Sequence, residues 1–197
     1  MVFHLQPAPL FDRMKALCLT HGVVGVAPLD NQIGLEGVAP GRDLLDRIVG
    51  ADIALMDSLD AAVFCLDGFR RGPEMDAGTA FEVGYMKALG KPIAGWTQDP
   101  RPYPQRVADF FHAVFEQPLI QTAPGPVGGT SGSMRDPDGV LVHSEGCYQN
   151  AMVHIGIELA GGVVAADPDW ERAFSLAVAS IARQLQSASV TKPGSPP

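Results

Sequence analysis

The chain has 197 residues, enough for one domain that buries about 70% of its unfolded surface. Its formal net charge is -8, and its 14 basic residues are dispersed, which argues against a nucleic-acid partner because phosphate contacts need clustered Lys and Arg. The three cysteines, Cys18, Cys65 and Cys147, are too widely spaced for a disulfide framework or a zinc site. No apolar run approaches the ~20 residues of a membrane span. The sequence therefore predicts a cytoplasmic protein without a membrane partner.

Short apolar runs alternate with segments of helical periodicity, which is the pattern of βα units around a mostly parallel sheet. Gly22 is predicted to end the first helix as a C-terminal cap. The run at 61–66 is continuously apolar, as suits a central strand covered on both faces. Strands are predicted at 2–5, 23–27, 61–66, 91–97 and 162–166.

Helical periodicity places helices between and after these strands. They are predicted at 11–18, 42–59, 79–90, 107–115, 148–157 and 170–185. The segment 122–141 is rich in Gly and Pro and is predicted to be a flap or an insertion. Residues 187–197 are predicted to form a disordered tail. The expected fold is one α/β domain over 1–186, flavodoxin-like or Rossmann-like, whose five-stranded, mostly parallel sheet carries helices on both faces.

The candidate chemistry lies in three acidic residues, Asp60, Asp76 and Glu82. Other catalytic signatures are missing, since the sequence has no GxGxxG after its first strand, no HExxH and no histidine pair at metal-ligand spacing. We expect the three carboxylates to gather near the end of the strand at 61–66, where open α/β sheets bind ligands. Two carboxylates beside a glycosidic bond can act as nucleophile and acid.

Each of these acids also has a purely structural explanation. Thr79 and Glu82 fit a capping box at the start of a helix. Asp76 fits an N-cap or loop acid that the helix dipole stabilises. Asp60 fits a polar residue that precedes a strand. Taken singly, the residues leave both interpretations open.

The run from Phe69 to Gly84, with the sequence FRRGPEMDAGTAFEVG, resembles the signature of the nucleoside 2-deoxyribosyltransferase family, particularly its trypanosomatid-like branch. Further segments agree in order, at 2–11, 28–31 and 145–152, so the resemblance spans most of the chain. The resemblance implies an enzyme that binds a small nucleoside and a nucleobase and needs neither a metal nor an organic cofactor.

The resemblance also implies roles for particular residues. Glu82 matches the family nucleophile, which attacks C1′ of a 2′-deoxynucleoside and forms a glycosyl-enzyme. Asp76 and Asp60 match acids that bind the nucleobase and handle its proton, and one aspartate is expected to hold that proton at neutral pH because of like-charge repulsion and burial. Gly78 lies within the same substrate-binding motif.

Asn150 and Met152 match residues that reach into a neighbouring subunit's site, where the Asn binds the sugar 5′-hydroxyl, which implies a homo-oligomer, at least a dimer. Asn31 belongs to a loop that lies near the ligand in relatives. The chain departs from the family at Phe3, where relatives usually carry a Tyr whose phenol can hold the nucleophile, and at Gln6, where relatives carry a small residue.

The sequence therefore predicts 2-deoxyribosyl transfer between nucleobases by a retaining ping-pong mechanism in nucleoside salvage. Two alternatives stay open at this point. One is an N-glycoside hydrolase of nucleosides or their 5′-monophosphates, which hands the same intermediate to water. The other is a catalytically silent nucleotide-binding paralogue, a reading that Phe3 and Gln6 support.

Overall fold

The computed structural model describes residues 5–31, 37–121 and 133–190. The helices are α1 (Ala8–Thr20), α2 (Arg42–Ser58), α3 (Ala77–Ala88), α4 (Tyr103–Phe115), α5 (Ala151–Leu159) and α6 (Trp170–Val190). The strands are β1 (Ala62–Cys65), β2 (Ile93–Thr97), β3 (Ile120–Gln121), β4 (Met134–Arg135), β5 (Leu141–Val142) and β6 (Val164–Ala166). Short 3-10 turns cover Pro28–Asn31 and Phe69–Arg71.

The main sheet is parallel, with strand order β1-β2-β6. All five residues of β2 are buried, as expected for the middle strand of a sheet covered on both faces. Ile93 faces one apolar cluster with side chains of α2, α3 and α5, and Ala94 and Trp96 face a second cluster with side chains of α1 and α6. The predicted α/β class, with helices on both faces of a parallel sheet, is confirmed.

The strand count differs from the prediction. The segment 23–27 is not a strand in the described part of the chain. Its side chains alternate as a strand's would, with Ala27 buried and Val24 81% exposed, but the segment has no ladder partner among the described residues. The first predicted strand, at 2–5, lies almost entirely outside the described residues. Three of the five predicted strands therefore form the main sheet that the structure describes.

The predicted flap at 122–141 contains regular structure where it is described. β3, β4 and β5 form a small antiparallel sheet, whose last turn is closed by the Asp136 carboxylate accepting from the Val140 N–H at 2.8 Å. Residues 122–132 lie outside the described residues. The predicted tail is also corrected, because α6 continues four residues beyond Gln186, to Val190. Residues 191–197 of the predicted tail lie outside the description.

Most helices begin and end close to their predicted positions for recognisable reasons. Gly22 follows α1 with a φ of +75°, the left-handed conformation that favours glycine at a helix end, which confirms its predicted role as a cap. Helix α2 continues through Gly50 without a break. α3 begins at Ala77, within two residues of the predicted start.

Gly162 is packed so tightly that the structure has no room for a side chain at this position. A Cβ at this position would lie 1.8 Å from the Ile93 backbone oxygen and 3.1 Å from Cγ2 of Ile157. We expect Gly162→Ala to lower the free energy of unfolding by about 2 kcal/mol or more, because β2, β6 and α5 must separate to make room. Urea unfolding followed by circular dichroism measures the change.

Gly50→Ala is the matched control, since a Cβ at Gly50 in α2 meets no atom within 4 Å. This substitution should raise the free energy of unfolding by about 0.5–1 kcal/mol, as it does in exposed helix interiors. Equal effects of the two substitutions would contradict the packing described for Gly162.

Candidate active site

Asp76 caps the amino end of α3. Its backbone is extended, with φ -61° and ψ 133°, and its Oδ2 accepts from the Thr79 N–H at 3.0 Å. Gly78 makes room for this cap, because a Cβ there would lie 2.8 Å from Asp76 Oδ2. The expected N-cap at Asp76 is confirmed. The capping box predicted for Thr79 and Glu82 is wrong, because Asp76 takes the capping position three residues before Thr79.

Glu82 lies in the second turn of α3 and is half-buried. Burial raises the pKa of Glu82 to about 7, and the negative charges of Asp52 and Asp76 add to this shift. The carboxyl groups of these three residues therefore form one electrostatic cluster, which we call the acid cluster. Near neutral pH, Glu82 exchanges readily between its neutral and its charged form.

Asp52 was missed by the sequence prediction. It lies on α2, half-buried, and burial raises the pKa of its carboxyl as well. A sequence signal existed, since Asp52 is four residues after Ile48 and four before Met56, so it falls on the apolar stripe of its helix. An acid at a core-facing helix position carries a desolvation cost, which makes it a candidate for function.

The packing of α2 beside α3 brings Asp52 and Glu82 together. Met56 of α2 and Val83 of α3 belong to the same apolar cluster. The Tyr85 hydroxyl donates to Asp57 Oδ1 at 2.8 Å, which adds a polar link between the two helices. Asp52 lies one helical turn before Met56 and Glu82 directly precedes Val83, so both acids sit next to this shared cluster.

Asn31 joins this region through α2. Its Nδ2 donates to the Ala51 backbone oxygen at 2.8 Å, one residue before Asp52. The loop that carries Asn31 is thereby attached to the helix segment that supplies the acid cluster. Phe3 lies outside the described residues.

The fold does not place Asp60 with the other predicted acids. Asp60 is exposed and precedes β1, whereas Asp76 follows it, so the two lie beyond opposite ends of the strand. The predicted gathering of three carboxylates at one strand end is therefore wrong for Asp60. The acid directly beyond the carboxyl end of β1 is Asp67, which the sequence prediction overlooked although it ends the same apolar run.

Asp67 joins the carboxyl ends of β1 and β2. It accepts from the Thr97 hydroxyl at 2.6 Å, from the Gln98 N–H at 2.7 Å and from the Gln98 side-chain amide at 3.0 Å. Thr97 is fully buried. These contacts fix the edge of the sheet from which the chain leads toward Asp76.

Asn150 and Met152 lie at the start of α5, which packs against α3. Asn150 is the N-cap, and its Oδ1 accepts from the Met152 N–H at 3.0 Å. The Met152 side chain is 85% exposed, which is unusual for a large apolar residue and suits a contact with another molecule. Met152 is thus presented at the surface on the α3 side of the sheet, and Asn150 is half-buried beside it.

No group of three or more His, Cys, Asp or Glu side chains is arranged to hold a metal ion within the described ranges. Of the helices that the structure describes, none is both long and apolar enough to cross a membrane. The cysteines are all free thiols, and burial raises the pKa of Cys65 to about 12.

The parallel sheet and the acidic helix pair define an α/β domain with a carboxylate site. A family model described as nucleoside 2-deoxyribosyltransferase matches residues 1–152. The chain is 46% identical over 187 residues to an uncharacterized protein of Schizosaccharomyces pombe, which covers 95% of this chain and 87% of that protein. It therefore belongs to the nucleoside 2-deoxyribosyltransferase family, as its motif predicts.

A solved structure is also similar, that of a 2-desoxiribosyltransferase from Leishmania mexicana. Its sequence identity is 26% and its TM-score is 0.55, and the match covers 90% of this chain and 91% of that one. The overall α/β arrangement is thus shared along nearly the whole of both chains. This likeness agrees with the trypanosomatid-like character of the 69–84 motif.

The charge of Asp52 should hold the pKa of Glu82 high. Asp52→Asn keeps the side-chain volume and removes one negative charge, so the ionised form of Glu82 becomes less unfavourable and its pKa should fall below about 7. Titration of the Glu82 side-chain carboxyl by carbon-13 NMR measures this directly. The control is Asp43→Asn at an exposed position of α2, which should leave the titration unchanged. An identical Glu82 titration in wild type and Asp52→Asn would show that the acid cluster is not coupled.

Proposed function

We propose that this protein transfers a 2-deoxyribosyl group between nucleobases through a covalent intermediate on Glu82. The acid cluster supports this proposal, because Glu82 is half-buried and the negative charges of Asp52 and Asp76 raise its pKa. Membership of the family supplies the substrate class, a nucleoside and a free nucleobase. Nucleoside salvage is the process to which such an exchange belongs.

The first chemical step breaks the glycosidic bond. The ionised Glu82 carboxylate attacks C1′ of the deoxynucleoside, and the bonding electrons leave with the nucleobase. A protonated base leaves more easily, and a positioned acid typically contributes about 10²- to 10⁴-fold to such a step. The acid cluster supplies this proton, because near pH 7 Glu82 still binds a proton that an isolated glutamate would have lost.

Asp76 is the residue proposed to pass that proton to the base. Its Oδ2 is engaged by the Thr79 N–H, and its Oδ1 has no hydrogen-bond partner among the described residues, which leaves one oxygen for a ligand. The sequence predicted that an aspartate holds the proton in the resting site. We propose instead that Glu82 holds it. When the proton moves toward the base, Glu82 becomes the charged nucleophile.

The second step returns the sugar to a base. A second nucleobase attacks C1′ of the glycosyl-enzyme, the ester bond to Glu82 breaks, and the proton that the incoming base gives up returns through Asp76 to the Glu82 carboxylate. Each displacement inverts C1′, so the configuration is retained overall. The substrate's missing 2′-hydroxyl helps, because without that electron-withdrawing group the oxocarbenium-like transition state forms more easily.

The exchange reaction tests the proposal directly. Incubation with a deoxynucleoside and a different free base should yield the exchanged deoxynucleoside by chromatography, and Glu82→Gln should lower the rate by at least ~10³-fold. The control is Glu171→Gln, which removes only an exposed ion pair with Arg13 and should leave the rate unchanged. A 2-fluoro-sugar substrate should leave a covalent adduct on Glu82, detected by mass spectrometry.

Other outcomes would point to the alternatives. No exchange across a panel of purines and pyrimidines, with no adduct on Glu82, would reject the transferase. Release of base at a rate that does not depend on an acceptor base would favour N-glycoside hydrolysis. Ligand binding without turnover, unchanged in Glu82→Ala, would favour a silent binding protein.

We also propose that a second copy of the chain covers the exposed apolar face of α5. Met152, Ile155 and Leu159 recur along one side of this helix, with exposed fractions of 85%, 43% and 76%. Asn150, at the head of the same helix, matches the residue that relatives insert into a neighbouring subunit's site. An oligomer with a shared site would bury this surface.

Met152→Glu tests this assembly. A charge within the proposed contact should shift the protein toward the monomer in sedimentation velocity and lower exchange activity with it. Leu176→Glu is the control, because Leu176 is 51% exposed on α6, on the other face of the sheet. A Met152→Glu protein with the wild-type mass in solution would contradict the proposed interface.

A further inference from the structure

Gln149 is fully buried, although it precedes Asn150 at the surface end of α5. Its side-chain Nε2 donates to the Leu66 and Pro73 backbone oxygens, each at 3.3 Å, and its Oε1 accepts from the Asn150 N–H at 3.1 Å. The amide therefore satisfies backbone groups from three places in the chain. A buried amide with this many partners is costly to replace, because each lost partner leaves a polar group without a bond.

The partners of Gln149 are parts of the proposed site. Leu66 follows β1, just before Asp67. Pro73 lies in the segment 72–76, which ends in Asp76. Asn150 is the residue proposed to contact the sugar in a neighbouring subunit. One side chain thus ties the base-binding acid to the sugar-binding amide.

The rest of the segment 143–150 is attached elsewhere. The Cys147 backbone oxygen accepts from the Tyr103 N–H at 2.8 Å, and the Tyr148 backbone oxygen accepts from the Arg106 guanidinium, so α4 holds one side of the segment. The Ser144 hydroxyl accepts from the Ala151 N–H at 2.9 Å and ties it to α5. Among the described residues, the direct hydrogen bonds from this segment to 66–76 come from Gln149.

We propose that Gln149 is a positioning residue, which sets Asn150 and the Asp76 segment in the geometry that sugar and base require. The inference rests on the proposed function. Because Asn150 serves a neighbouring subunit, Gln149 relates the geometry of two sites in one assembly. Both the amide nitrogen and the amide oxygen of Gln149 are needed. Nε2 donates to backbone oxygens in the segment 66–76, and Oε1 accepts from the Asn150 N–H.

The test compares two substrates that differ only at the group Asn150 contacts. In Gln149→Met, which keeps the length of the side chain, kcat/KM for a 2′-deoxynucleoside should fall about 10- to 100-fold, the size expected for a small displacement of a contact group. For the 2′,5′-dideoxynucleoside, which lacks the 5′-hydroxyl, the fall should be clearly smaller. The double variant Gln149→Met with Asn150→Ala should lose less activity than the two single losses combined, because the two residues share the contact with the 5′-hydroxyl.

Ile157→Val controls for a general loss of stability. Ile157 is fully buried in α5, and this change removes one methylene from the core without touching Gln149. It should affect both substrates equally. Thermal unfolding shows whether each variant is folded at the assay temperature, and Gln149→Glu, which retains an acceptor for Asn150 and loses the donors, provides a second variant if Gln149→Met is unfolded.

The outcomes separate the two proposals. Equal losses for both substrates in a folded Gln149 variant, with an active wild-type protein, would overturn the role of Gln149 alone. A wild-type protein that binds nucleosides without exchange would reject the transferase, and the same comparison would then be made on binding constants by calorimetry. A wild-type protein that neither exchanges nor binds would overturn both.

Discussion

The half-buried carboxyl of Glu82, surrounded by the charges of Asp52 and Asp76, is the constraint around which the rest of this structure is organised. Burial and like charges both disfavour its ionised form. They raise its pKa from 4.5, the value for an exposed glutamate, to about 7 in the folded protein. The folded state therefore binds more protons than the unfolded state between these values, and the fold loses stability as the pH rises through them, by at most about 3 kcal/mol.

The apolar packing around Glu82 opposes this loss. Val83 and Met86, on the same helix, are buried against Phe64 and Leu66 of the β1 segment, and Met86 and Leu66 are fully inaccessible. Burying side chains of this size contributes roughly 1.5–3 kcal/mol each. Because these contacts fix the rotation of α3, they also fix the direction in which Glu82 points, and the acid does not depend on a flexible loop for its position.

Local patterns predicted the elements that surround the site. The apolar run at 61–66 became β1, and Asp76 before a helical segment became the cap of α3. The segment 23–27 misled the prediction, because a run rich in Val favours an extended chain, whereas a strand also needs a partner from elsewhere in the sequence. The prediction for Asp60 failed for a related reason. Asp60 is close to β1 in sequence, but it precedes the strand, and ligands bind beyond the carboxyl ends of strands.

Asp52 and Gln149 show what a single sequence conceals about a site. The motif around Glu82 is contiguous and could be recognised, but Asp52 reaches the acid cluster only through the packing of α2 beside α3. Gln149 meets Leu66 and Pro73 across more than 70 residues of chain, with separations of 83 and 76. Contacts of this kind are set by the fold as a whole, and no local periodicity carries them.

The capping role of Asp76 and its proposed catalytic role use different oxygens of one carboxylate. Oδ2 is held by the Thr79 N–H, and Gly78 leaves the space that this geometry needs. The cap therefore does more than stabilise the helix, because it engages one carboxylate oxygen and leaves Oδ1 without a partner among the described residues. A structural explanation for an acidic residue is thus no argument against a chemical one. At this helix start, the bond that stabilises the fold is the same bond that would aim the acid.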